Sequence, residues 1–139
     1  MKYWLCVTNK ENWQVAKKRK IWGISERNRR QMDEVKVGDM LIFYVKPKRT
    51  AGVYKVSAKP FVDNKRVFST AGFSEGETFP HRVKIQAFAV PKEPVPFDDL
   101  VSKLTFISNK KKWPGYLRKA MQAIPKEDYE KILTSLEES

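Results

Sequence analysis

One cysteine and one histidine are all that 139 residues supply of the two side chains most often recruited for metal binding and nucleophilic catalysis. Cys6 alone closes no internal disulfide and builds no cysteine-rich zinc site. Its solitude points to a reducing compartment, so the cytoplasm is the expected location. Proline and glycine are sparse, at 8 and 6 residues, which excludes collagen-like and low-complexity classes. No apolar run approaches the ~20 residues that a membrane-spanning helix needs. The longest candidate, Met40 to Val45, is strand-sized, and the mean hydropathy is −0.58. The P-loop, the dinucleotide fingerprint and the nucleophile elbow are all missing. Residues 1–139 read as a single domain with no internal repeat, long enough to bury a core without staples.

Acid is also in short supply, with 16 Asp and Glu against 28 Lys and Arg, a formal charge of +12. The excess is uneven. Residues 1–60 carry 15 basic and 5 acidic side chains, residues 61–100 carry 5 and 6, and residues 101–139 carry 8 and 5. A concentration of this kind suits a polyanion, because each phosphate neutralised releases condensed counterions. A charged surface of the sort found in thermophiles is the plain alternative.

Tyr3–Thr8 is aromatic and β-branched and reads as a first strand rather than a signal peptide. Asn9 and Asn12 are suited to capping a helix expected over Trp13 to about Lys20. Ile21–Ile24 breaks that pattern, and an arginine-rich stretch follows to Glu34. Met40–Val45 is the clearest strand. Gly52–Ser57 and Arg82–Phe88 alternate apolar and polar, which predicts antiparallel partners. Between the last two lies an irregular connection, Pro60–Phe79, containing Gly72 and Gly76; loops of about 20 residues are often functional. Short helices are expected over Phe97–Leu104 and Tyr116 to about Gln122, with a last helix opening at Pro125. The class is α+β around a small, strongly curved sheet or barrel.

Catalysis finds little support. His81 follows Pro80 at a strand entry, Cys6 sits inside a strand, and Asp98-Asp99 read as residues opening a helix. No catalytic residue, metal or cofactor is expected. Binding chemistry is better supplied, by four tryptophans, eight phenylalanines and five tyrosines. Trp22, between a Lys-Arg-Lys run and Gly23, could stack on a base, with the glycine permitting close backbone approach. It could equally be a core residue closing the barrel end. Asn12 carries an amide able to read a base edge, or it caps its helix. Trp113 could be a platform beside phosphates or a pin for the terminal helices. Candidate phosphate contacts are Lys18, Arg19 and Lys20; Arg27, Arg29 and Arg30; Lys46, Lys48 and Arg49; and Lys110, Lys111 and Lys112.

Tyr3-Trp4 with Asn9-x-x-Asn12-Trp13, Trp22-Gly23, Gly38-Asp39 before Phe43-Tyr44, and Gly52-x-Tyr54-x-Val56 form an ordered set. It continues through Pro60-Phe61-x-Asp63, Pro80-x-Arg82-Val83 and Leu104-x-Phe106-Ile107 to Asp128-Tyr129. This set, which runs through nearly the whole chain, resembles the EVE domain family, and the lysine-rich form looks like its archaeal, stand-alone branch. EVE domains are similar to the PUA and YTH groups. The resemblance implies a PUA-like small β-barrel flanked by short helices. YTH domains hold 6-methyladenine in an aromatic cage, and bacterial EVE domains are associated with modified cytosines. Carried over position by position, the likeness puts Trp22 at the first cage tryptophan, Asn12 at the residue contacting the base edge, and Phe79 at another aromatic wall. Phe68 and Phe73 are both candidates for the remaining wall. Phenylalanine where YTH domains often have tryptophan, and Gly23 where they carry a hydroxyl, are departures.

The resulting expectation is a monomeric, non-catalytic nucleic-acid-binding module, with RNA favoured over DNA and no membrane partner. It would recognise a modified or flipped-out base in a pocket of Trp22, Gly23, Asn12, Phe79 and a loop phenylalanine. It requires the indole to stand open to solvent at the mouth of a cavity. The rival readings are an enzyme acting on a nucleoside or nucleotide through His81 and Asp63, and an adaptor whose basic face meets an acidic protein.

Overall fold

The computed structural model describes residues 1–70, 73 and 76–139, so Gly72 lies outside the described residues. Eight strands and three α-helices are present among them. In chain order they are β1 (Tyr3–Asn9), α1 (Lys10–Arg19), β2 (Ile21–Ile24), α2 (Arg29–Asp33), β3 (Met40–Lys46) and β4 (Arg49–Val56), followed by β5 (Phe61–Val62), β6 (His81–Ala89), β7 (Val95–Pro96), β8 (Met121–Ile124) and α3 (Lys126–Glu137). Short 3₁₀ turns cover Glu26–Asn28, Asp98–Lys103 and Lys110–Leu117.

The sheet order is β2-β6-β4-β3-β1-β8, with β5 also pairing β6 and β7 also pairing β4. β1 and β3 run parallel, from Tyr3 opposite Met40 to Asn9 opposite Lys46, and the other pairs are antiparallel. A parallel pair needs a crossover, and α1, β2 and α2 supply it. The register slips between Phe43 and Tyr44 and again between Val53 and Tyr54. Irregularities of this kind add twist and bend a strand, and here they curl the sheet into a half-barrel.

Both faces of the curl are covered, which is why β3 is apolar at six successive positions rather than alternating. Leu41, Phe43 and Val45 point inward with Trp4, Cys6, Trp13, Trp22 and Tyr54. Met40, Ile42 and Tyr44 point outward onto Phe97, Leu104, Ile107 and the α3 residues Tyr129, Ile132 and Leu136. Trp113 belongs to this outer layer, its ring 5.5 Å from that of Phe97, so it pins the 110–117 segment. Burial pushes the Cys6 thiol well up, consistent with its role as a small core hydrophobe.

Several expected boundaries are corrected. α1 begins at Lys10 because Asn9, not Asn12, is the cap: the Asn9 side chain accepts the Asn12 N–H at 2.8 Å. Ile21–Ile24 is a strand on β6, its four residues too few to show a period. The segment expected as a helix from Tyr116 to Gln122 is divided between a 3₁₀ turn and β8, which completes the sheet beside β1. The expected 97–104 helix is 3₁₀, and Pro125 is the cap of α3 rather than its first helical residue.

Two buried aspartates tie chain segments together. Asp39 accepts the Trp4 indole N–H at 3.1 Å and the main-chain N–H groups of Lys2 and Lys36, each at 3.0 Å. Asp128 accepts the N–H groups of Thr105 and Phe106, each at 2.9 Å, and the Thr105 hydroxyl. Removing Asp128 strands buried donors, so Asp128→Ala is expected to lower unfolding free energy by about 3 kcal/mol in urea denaturation.

Candidate functional site

β1 and β3 end side by side at Asn9 and Lys46, and the chain leaves β1 directly into α1. Above this end lies a cavity of about 640 Å³. Val7, Thr8, Asn9 and Asn12 form one side, and Trp22 to Asn28 form another. Phe68, Phe73, Glu77 and Phe79 come from the long connection before β6, and Arg118, Lys119 and Ala120 from the turn into β8. That turn is held to β1 by the Val7 N–H donating to the Ala120 carbonyl at 2.9 Å.

The aromatic wall is built edge to face. Phe79 lies between Phe73, at 4.9 Å between centroids, and Phe68, at 6.1 Å, with interplanar angles of 89° in both cases. Phe68 and Phe79 are buried, whereas Phe73 is 46% exposed. Both loop phenylalanines therefore line the cavity, and Phe73 is the one solvent reaches. Trp22 departs from expectation. Its indole is only 3% exposed and meets the edge of Phe43 at 5.5 Å, so it does not stand open at the mouth. It borders the hollow from within the core, since β2 turns its apolar face into the curl.

Asn12 is likewise placed differently. Its Oδ1 accepts the Ser69 N–H at 2.6 Å and its Nδ2 donates to the Ser69 carbonyl at 3.2 Å. The amide thus holds the 68–70 segment and sets where Phe68 sits, instead of facing the hollow unpartnered.

Arg82 anchors the same connection from below. It is 1% exposed; its Nε donates to the Phe79 carbonyl at 3.0 Å, and its Nη2 donates to the carbonyls of Thr78, at 2.8 Å, and Lys65. Nη1 lies 3.5 Å from Asp63, and the guanidinium sits 5.5 Å from the Phe68 ring centroid. Burial pulls its pKa down from the ordinary value, partly offset by Asp63. Phe79 has a positive φ of 51°, a strained conformation for a bulky residue, and both of its polar groups are gripped. Arg82 takes the carbonyl, and the Glu77 carboxylate accepts the N–H at 2.8 Å.

The expected basic residues divide. Arg27 and Lys46 reach the cavity, joined by Arg118 and Lys119, which carried no signal in sequence because their turn was expected to be helical. Lys18, Arg19 and Lys20 lie at the far end of α1, about 15 Å along its axis from Asn9. Arg29 pairs with Glu26 at 3.2 Å; like it, Arg30, in α2, does not line the hollow. Lys48 pairs with Asp98 at 3.9 Å and sits over Trp113, so Lys48, Arg49 and Lys110–Lys112 belong to the outer layer's side.

The enzyme reading places its two groups in separate pairs. His81 hydrogen-bonds Glu26, which holds that carboxyl below its usual range, and Asp63 is engaged by Arg82. Among the described residues no three His, Cys, Asp or Glu side chains gather as a metal site.

Gly23 makes the close approach possible. A Cβ there would lie 2.6 Å from the Phe79 carbonyl oxygen and 3.0 Å from Arg82 Cγ. Gly23→Ala must push the 79–82 backbone away, and it is expected to cost about 2 kcal/mol of stability in thermal or urea unfolding. The Trp22 fluorescence environment should shift with it.

Comparison with known proteins fits this architecture. A UPF0310 protein of Pyrococcus abyssi is 42% identical over 146 residues, covering 98% of this chain and 99% of its own. A UPF0310 protein of Pyrococcus horikoshii is 36% identical over 143 residues, covering 95% and 97%. Among solved structures, human THYN1 in complex with 5-methylcytosine-containing DNA superposes with a TM-score of 0.68 at 17% identity, over 100% of this chain and 99% of that one. The Mmi1 YTH domain in complex with RNA gives 0.69 at 15% identity, over 99% and 78%. These likenesses establish a PUA-like fold. The profile of the EVE domain matches residues 2–135, and the chain belongs to the EVE domain family.

Proposed function

We propose that this protein is a non-catalytic nucleic-acid-binding module that takes an unpaired or flipped-out base, in particular a modified one, into the cavity at the end of β1 and β3. The observation carrying this reading is one hollow of about 640 Å³ with Phe68, Phe73 and Phe79 on its wall and Arg27, Lys46, Arg118 and Lys119 around it. An aromatic slot offers stacking to any base, and the cations neutralise the phosphates on either side. Fold neighbours bound to RNA and to 5-methylcytosine-containing DNA support the reading. Single-stranded targets are favoured because extruding a base from a duplex costs a few kcal/mol, and RNA is favoured over DNA on the likeness to PUA-type domains. The +12 charge resists self-association, in keeping with a monomer.

The test is fluorescence anisotropy with short single-stranded RNA and DNA at two salt concentrations. Wild type should bind RNA more tightly, with affinity falling steeply as salt rises. Phe73→Ala, at an exposed ring, should weaken binding about tenfold through lost stacking. Lys119→Ala should reduce the salt slope by about 0.7. Lys126→Ala, on α3 behind the outer layer, should change neither. Salt-independent binding, or binding indifferent to Phe73→Ala, refutes the pocket.

A further inference from the structure

Among the described residues two carboxylates, Glu26 and Glu77, stand on the wall of this otherwise basic cavity, and they differ. Glu26 is paired with Arg29 and hydrogen-bonded to His81. Glu77 has no cationic partner among the described residues. One of its oxygens, Oε2, accepts the Phe79 N–H at 2.8 Å, Oε1 has no hydrogen-bond partner among the described residues, and the side chain lines the cavity with Phe79. Its orientation is secured at both ends of Phe79, because Arg82 grips the carbonyl of the residue whose N–H Glu77 holds.

An anion inside a site surrounded by cations works against phosphate entering the hollow, since like charges repel there. It also costs desolvation once a ligand covers it, unless that ligand brings an N–H donor. A nucleobase with an exocyclic amino group supplies one. Uracil and thymine place keto oxygens on both sides of their single ring N–H, so a carboxylate approaching that edge meets lone pairs. Carboxylate acceptance from the cytosine amino group is an established pairing in base recognition.

We propose that Glu77 is a specificity-determining residue that accepts a hydrogen bond from the exocyclic amino group of the bound base, selecting amino-bearing bases over uracil and thymine. This rests on the nucleic-acid reading above and names the class of base that site would take.

The experiment compares uridine pentanucleotides carrying a central cytosine with the all-uridine pentamer. It uses the intact chain, Glu77→Gln and Glu77→Asp, with Phe73→Ala alongside. The wild type should bind the cytosine oligonucleotide about tenfold more tightly. Glu77→Gln, whose amide can donate as well as accept, should bring the ratio close to one, and Glu77→Asp should retain a preference. Equal wild-type affinities for the two oligonucleotides, with Phe73→Ala weakening both, overturn this inference and leave the pocket standing. A tenfold ratio that survives Glu77→Gln also overturns it. Should the variants not fold, the wild-type ratio decides alone. Binding indifferent to Phe73→Ala refutes the pocket reading instead, and no binding to either oligonucleotide overturns both.

Discussion

A single buried guanidinium holds the cavity end of this molecule together. The described residues between β5 and β6 form no helix or strand, so their carbonyls find no sheet partners. Arg82 collects those of Lys65, Thr78 and Phe79, pairs with Asp63 and lies over Phe68. Taking a cation out of water is expensive, and this one is compensated only because its rigid fork of five donors meets several acceptors at once. Lysine, a point charge with three donors, could not match that geometry. The aromatic wall follows from the guanidinium: Phe68 lies beneath it, Phe79 is held by its carbonyl, and Phe73 leans on Phe79. Gly23 lets β2 come close enough to close the arrangement from the other side.

The cavity lies at the end of the one parallel strand pair, where the crossover leaves the sheet. Separate stretches converge there: the end of β1 with the start of α1, the 22–28 segment, the end of β3, residues of the 68–79 connection and the turn into β8. The curl of the sheet brings the outer strands β2 and β8 toward a common rim, and the register slips in β4 contribute to that curl. Charge is consequently sorted by topology more than by sequence clusters. Arg27, Lys46 and the Arg118–Lys119 pair come from three different elements or turns, whereas the densest runs, around Lys18 and Lys111, point elsewhere.

Residues that seemed alike in sequence separate once their partners are known. Asn9 and Asn12 were both plausible caps; one caps α1 and the other binds the Ser69 main chain 57 residues away. Phe68 and Phe73 were interchangeable candidates, and one is buried over Arg82 while the other is exposed. Trp22, which its sequence neighbours leave open between core and pocket, serves as core while bordering the hollow. The strands with strong patterns, β1, β3, β4 and β6, are legible because alternation or continuous apolarity over six or more residues is a local property. β2 and β8 have four residues each and exist by virtue of the edges they pair with.

Legible in the sequence were therefore the local and the compositional: an α+β class, a basic chain poor in catalytic side chains, and a motif order pointing to the EVE family. Hydrophobic period, charge and residue inventory are carried by neighbours in the chain and survive without coordinates. The tertiary structure alone decided which aromatics reach solvent, which cations face the hollow, and that Glu77 stands there with no cationic partner among the described residues. Those properties depend on contacts between residues far apart in sequence, in a closely packed interior where a few tenths of an ångström separate a cavity wall from core.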